Sequence, residues 1–510
     1  MLASALFAIQ LSVALSASAT SGPAVTAGDD GSFAVAFGGV PIGEPKLESD
    51  CLITAHGAVA DNRTVNTKAI QAAIDFCHAT FPRSSRVIVP AGAFKTGSLE
   101  LRSNLELHLE NGAGLYGSEN WDEYPIVPGL PFGTMFRALI SGYNLTNVKV
   151  TGSNAVVPAS GVPSSDSIID GVGWSWWCIG QHMPVWPVPY CKHFNPTNKT
   201  LKHGLLLPKL VEFFNCSGVE IRNFTAQNSP FWTIVPTYSR DVRVQSMTVL
   251  NPRNVGQTDG VDPNSCVNCL VEDCHIDVGD DGVSIKAYNV VGVGPAPCSN
   301  VTIRRTNVVS RNICVGGATE GGVSDILFED VAVGDPDSVT SPWAIKFKVS
   351  TGHLRNITFR RIRIGRIGDT PWMYPTRAPG DAFHVDILSR HTAGKPPTQP
   401  PPTMEGLSFE DISIVAVKGM GHISGDPADC SIKGLTFRNV TAFDAGSGWG
   451  GCSNVDLLSF ATQGVVPPLN KCKACKTVQA SASMGLSQRP AEQLTAAANQ
   501  WTSRLKALRR

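Results

Sequence analysis

Val219-Glu-Ile-Arg-Asn-Phe224 and Val242-Arg-Val-Gln-Ser-Met247 share one pattern: apolar, any residue, apolar, two polar residues, apolar. It returns as Cys269-Leu-Val-Glu-Asp-Cys274, Val301-Thr-Ile-Arg-Arg-Thr306, Ile326-Leu-Phe-Glu-Asp-Val331, Ile357-Thr-Phe-Arg-Arg-Ile362, Leu407-Ser-Phe-Glu-Asp-Ile412 and Leu435-Thr-Phe-Arg-Asn-Val440. Neighbouring copies are mostly 23 to 32 residues apart, with one longer gap near 380–403. Period-two alternation marks a strand, and the polar pair marks a turn. Such a short unit buries its apolar face only when copies stack along one axis. It is too short for a propeller blade and lacks the Leu/Asn spacing of a leucine-rich repeat. The expected fold is all-β, a right-handed parallel β-helix.

A solenoid needs its ends covered against edge pairing. Residues 66–80, NTKAIQAAIDFCHAT, place Ile70, Ala73, Ile74 and Cys77 on one helical face, which predicts an N-terminal capping helix. Gly171–Thr200, rich in Trp, Pro and Cys, reads as a loop beside the coils, and Pro379–Thr403 as a surface excursion. The ending AEQLTAAANQWTSRLKALRR suits a short helix or a frayed end.

Composition narrows the function. The 510 residues carry 42 Lys+Arg against 42 Asp+Glu, without the basic surplus that nucleic-acid binding requires. Charged residues are only 16%, and 49 glycines suit a turn-rich β protein. Met1–Thr20 has an apolar stretch ending at Ala17-Ser-Ala19, so residues 1–19 are expected to be a signal peptide and the protein secreted. No other apolar run is long enough for a membrane span. Eight Asn-x-Ser/Thr sequons, at Asn62, Asn144, Asn198, Asn215, Asn223, Asn300, Asn356 and Asn439, and 14 cysteines fit that compartment. Cys266-x-x-Cys269 and Cys472-x-x-Cys475 lack a second ligand pair at finger spacing, so disulfides or buried thiols are expected rather than zinc.

Chemistry concentrates in Gly256–Lys286, GQTDGVDPNSCVNCLVEDCHIDVGDDGVSIK. Asp259 precedes Asp280 by 21 residues, about one coil, and Asp281 follows directly. Stacked strands lie about 4.8 Å apart, so three carboxylates would share one patch. Crowded like charges push pKa values apart, leaving a protonated acid beside an ionised base. Glycoside hydrolysis uses that pair. Asp-Gly turns and calcium ligation remain open for the same residues.

These residues resemble glycoside hydrolase family 28, the polygalacturonases. Gln257-Thr258-Asp259 is similar to the family's Asn-Thr-Asp, Gly279-Asp280-Asp281 matches its Gly-Asp-Asp, and Lys346-Phe347-Lys348 sits where Arg-Ile-Lys is expected. His56-Gly-Ala-Val59, Val89-Pro-Ala-Gly-Ala-Phe94 and Asn228-Ser-Pro-Phe-Trp232 also look like family segments, and the likeness runs from about Cys51 to Leu458. It implies a β-helix hydrolase domain over 45–460, followed by a Cys-containing, perhaps helical tail over 461–510. It also implies inverting cleavage of α-1,4-galacturonosyl linkages in pectin. Asp280 would be the general acid, and Asp259 and Asp281 would activate water. Lys346, Lys348, Gln257 and Arg311 would bind substrate. No metal or cofactor is needed, and a monomer acting on a pectic polysaccharide is expected.

The family's Gly-His-Gly is replaced by Ser310-Arg311-Asn312, with Arg311 at the histidine position. A fixed cation there favours ionised carboxylates or binds a uronate directly. His275 and His353 are candidate stand-ins. Competing readings are a non-catalytic carbohydrate-binding β-helix, a hydrolase of another acidic or branched pectin such as rhamnogalacturonan, and a calcium-dependent pectate lyase.

Overall fold

The computed structural model describes residues 49–474, apart from 130–132, 154–164, 178–204, 291–293, 370–379, 388–401, 426–430, 456–460 and 470–471, together with Val25–Ala27 and Phe33–Val35. The two early strands pair antiparallel with each other in a unit of their own. The signal-peptide stretch, Asn198 and the ending after 474 lie outside the described residues.

The main body is a right-handed parallel β-helix. The repeats fall in register in a first column of strands: Val219 pairs with Val242, Val242 with Cys269, Cys269 with Val301, Val301 with Ile326, Ile326 with Ile357, and Ile357 with Leu407. The two apolar positions of each copy point inward. The second residue of the polar pair turns the corner in the left-handed region: Asn223, Ser246, Asp273, Arg305, Asp330, Arg361, Asp411 and Asn439 all have φ between 48° and 65°. Asn and Asp tolerate that conformation best.

Arg305 and Arg361 do not share that tolerance, but each is stacked on an aspartate. Arg305 Nε lies 2.7 Å from Asp273 Oδ1, and Arg361 Nε 2.7 Å from Asp330 Oδ1. The first polar position alternates in the same way, with Glu272 on Arg304, Glu329 on Arg360 and Glu410 on Arg438. One such exposed pair is worth little; a ladder of alternating sign also penalises a slipped register, which would set like charges together.

A second column follows the corner, as in Thr225–Gln227, Thr248–Leu250, His275–Asp277 and Asn307–Val309. A third contains Ile234–Thr237, Asp281–Ile285, Asn312–Gly316, Trp343–Val349, Asp381–Ile387 and Gly419–Ser424. Inside, Phe328, Phe359, Phe409 and Phe437 form a continuous stack with ring centroids 4.7, 5.4 and 4.8 Å apart.

The helix Thr67–Thr80 buries Ile70, Ala73, Ile74 and Cys77, the face read from sequence, against the first coil. Cys77 is disulfide-bonded to Cys51. Cys266 and Cys269 are buried thiols, and Cys472 bonds to Cys452. Parallel pairing continues through Ala461–Val466 and Cys472–Ala474, past residue 460, because the last rungs stack without carrying the repeat.

One expectation is corrected. Asp381–Ile387, inside the stretch read as an excursion, is a third-column strand whose Phe383, Val385 and Ile387 join the core; the prolines that suggested a loop lie outside it. Of the sequons, Asn215, Asn300, Asn356 and Asn439 spend their Nδ2 on hydrogen bonds along the axis, to Asn144, Asn268, Asp325 and Asp411.

Phe409 has stacked partners on both sides and no exposure. Phe409→Ala is expected to cost about 3–5 kcal/mol, seen as a lower urea midpoint.

Candidate active site

Pro252 and Pro263 cannot donate to a ladder, so the chain between them loops out and rejoins the third column at Val261, which bridges Ile234 and Val283. That register puts Asp259 beside Asp281: the N–H of Gly260 donates to the Asp281 carbonyl at 3.0 Å. The glycines flanking the aspartates are demanded by space. A Cβ on Gly279 would stand 2.0 Å from the Val255 carbonyl oxygen, and one on Gly260 2.4 Å from that of Gly282.

The structure brings Asp259, Asp280 and Asp281 together, all buried. Asp280 Oδ2 accepts from the backbone N–H of Gln257 at 2.8 Å, and Oδ1 from the N–H of Asp281 at 3.0 Å. Arg311 Nη1 lies 3.4 Å from Asp280 Oδ1. Gln257 meets this site through its backbone, in the left-handed region with φ 62°. Asp281 receives Lys348 Nζ at 2.8 and 3.1 Å and Asn312 Nδ2 at 3.0 Å. Burial raises the Asp281 pKa, but Lys348, Lys286 and Arg311 outweigh it and hold the carboxyl well below the usual range.

Asp259 shifts the other way. Burial and the charge of Asp262 push it well above the usual range, against the opposing pull of Lys286. Lys286 Nζ is 3.0 Å from Asp259 Oδ2, pairs also with Asp262 and sits 4.3 Å from the centre of the Trp232 ring. One ammonium serves two buried carboxyls, and Asp262 is likewise raised, to about 6, chiefly by burial. Asp262 and Lys286 went unread in the sequence; an aspartate three residues after Asp259 and a lysine closing the same stretch were their only signal.

Lys346 faces outward from the next strand, its Nζ 3.7 Å from the Trp343 ring centre, with the Arg311 guanidinium 5.2 Å from that ring. Burial, with Lys348 and Arg311 nearby, lowers Lys346 to about 8. Neither stand-in histidine reaches the aspartates. His275 borders a cavity of about 490 Å³ outside the second column, and His353 pairs with Thr403 in the first.

The model of the glycosyl hydrolases family 28 matches residues 83–373. The chain belongs to that family. It is therefore a glycoside hydrolase, and all seven site residues fall within the matched span. A probable polygalacturonase of Vitis vinifera is 28% identical over 402 residues, covering 76% of this chain and 72% of that protein. An exo-poly-α-D-galacturonosidase of Dickeya chrysanthemi is 26% identical, covering 79% and 73%. The solved exopolygalacturonase of Thermotoga maritima shares the fold, with a TM-score of 0.62 at 21% identity over 78% of this chain and 88% of that one. Among the described residues of this family member, no helix is long and apolar enough to cross a membrane.

The raised acids Asp259 and Asp262 hold protons in the folded state that the unfolded chain has released, so their contribution to stability is full below about pH 4 and fades as pH rises through their folded values. Asp281 acts oppositely: its contribution is present above its unfolded value and is lost on acidification. Removing the shared ammonium exaggerates the first effect. Lys286→Met is expected to lose about 3–5 kcal/mol at pH 7 and less at pH 5, measured by urea unfolding at both. Equal losses would mean that Lys286 acts only by packing on Trp232.

Proposed function

We propose that this chain is a secreted hydrolase that cleaves α-1,4-galacturonosyl linkages of pectic polysaccharide with inversion. The observation that carries the reading is the convergence of three aspartates whose surroundings differ so strongly. Asp280 gives its proton to the glycosidic oxygen as the bond to the anomeric carbon breaks. Water attacks that carbon from the opposite face and loses its proton to Asp259, whose proton affinity burial has raised. Asp281, kept anionic by Lys348, orients the water and stabilises positive charge developing on the sugar. Solvent then returns a proton to Asp280 and removes one from Asp259.

The substrate class follows from the cations. Lys348 is committed to Asp281, which leaves Lys346 and Arg311, gathered on Trp343, to meet a uronate carboxylate. Names among the relatives, polygalacturonase and exo-poly-α-D-galacturonosidase, support that choice.

Asp280→Asn is expected to lower reducing-sugar release from polygalacturonate by about 10²–10⁴-fold, with calcium chelated and the fold retained. Silence of both wild type and variant, on esterified and branched pectins as well, would favour a carbohydrate-binding protein. An unsaturated product absorbing in the ultraviolet would mark a lyase instead. Lys346→Met is expected to raise KM by about 10- to 100-fold, the worth of one charge-assisted contact, and to change kcat far less. Steady-state kinetics on polygalacturonate separate the two.

A further inference from the structure

Beyond Lys346 the outer face of the third column changes character. His384 is the register partner of Lys346, and His422 that of His384, so the fold stacks two imidazoles on adjacent rungs. Their ring centroids are 4.2 Å apart, edge to face. Asp381 opens the His384 strand, and its Oδ2 lies 3.8 Å from His422 Nδ1, too far for a hydrogen bond. Ligand-capable atoms of all three residues fall within 4.8 Å of one another. Among the described residues, no other group of histidine, cysteine or carboxylate side chains gathers three such atoms.

Two details point to a missing partner. The Nδ1 of His384 is buried and has no hydrogen-bond partner among the described residues, which costs free energy unless something fills the place. Beside the cluster, Gly419 leaves room that a side chain would take: a Cβ there would stand 3.1 Å from Asp381 Oδ1.

We propose that Asp381, His384 and His422 bind one divalent ion of the zinc or cobalt class. Two imidazoles with one carboxylate form a donor set that suits such ions and not calcium or magnesium, which take oxygen ligands. Tetrahedral ligands at zinc stand roughly 3.3 Å apart, so small side-chain rotations close the present spacing. Three protein ligands leave a position for water or for an oxygen of a bound molecule. Lys346 is the nearest cation on this face and lowers the affinity; Asp386, one rung position along the His384 strand, opposes it. The site does not depend on the catalytic reading, and the ion plays no part in the proton transfers above.

The test uses the full chain, stripped with a chelator and then titrated with zinc chloride by calorimetry and with cobalt chloride by visible absorption. One equivalent is expected to bind, to develop a cobalt d–d band, and to raise the melting temperature. His384→Ala and His422→Ala are each expected to weaken zinc at least ten-fold, while Asp280→Asn leaves it unchanged. Calcium in ten-fold excess is expected not to displace it. His422 is partly exposed, with 35% of its side chain accessible, so its variant keeps the fold even if that of His384 does not. Absence of saturable binding, or undiminished binding and thermal shift in the folded His422→Ala protein, would overturn the proposal.

Discussion

Every coil of this protein turns its corner on a residue in the left-handed region, and the position of that residue fixes everything beyond it. Because side chains alternate across a strand, a slip of one residue would exchange inner and outer faces along a whole coil. The corner residues, from Asn223 to Asn439, prevent the slip by stacking at constant φ, and the alternating Asp/Arg and Glu/Arg rungs beside them make misalignment electrostatically costly. Asp259, Asp281, Asn312, Lys346, His384 and His422 then share one outer face, although 163 positions separate the first from the last. The site is built by register, with no single loop responsible for it.

Within that face, charge is partitioned unevenly. Four buried carboxyls, of Asp259, Asp262, Asp280 and Asp281, meet three cations, of Lys286, Lys348 and Arg311. A shortfall of one positive charge in a desolvated region is relieved most easily by retaining a proton. It settles on the pair that must share Lys286, because Lys348 gives both of its contacts to Asp281. One rung therefore offers two aspartates of opposite character, made by which lysine each can reach.

The fold was legible because the repeat is carried by the first column, where apolar alternation and the polar corner recur with little variation. The capping helix was legible for the same reason: Ile70, Ala73, Ile74 and Cys77 keep a helical period. The third column was not. Its outward residues, such as Asp262, Ser284, Lys346 and His384, answer to chemistry and not to a repeat, and their strands follow loops of unequal length. Asp381–Ile387 was hidden among prolines, and pairing past residue 460 was hidden because the last rungs lack the motif. The aspartates stood out through Asp-Gly and Gly-Asp-Asp, whose glycines are fixed by backbone contacts at Gly260 and Gly279. Lys286 carried no such mark, since only the folded register shows that it spans Asp259 and Asp262.

Arg311 shows how a departure from the family pattern is accommodated. A histidine at that place would carry charge only below about pH 6.5, whereas the guanidinium carries it throughout. A permanent cation beside Asp280 would be costly for an acid that must hold a proton, yet the contact is long, at 3.4 Å. The guanidinium also lies near Trp343, a planar partner that draws it toward the side where Lys346 stands. The larger electrostatic effect falls on Asp281, which gains from a fixed positive charge because its role requires ionisation. The substitution thus moves a cation from tuning the acid toward securing the anionic partner and widening the patch that receives a uronate.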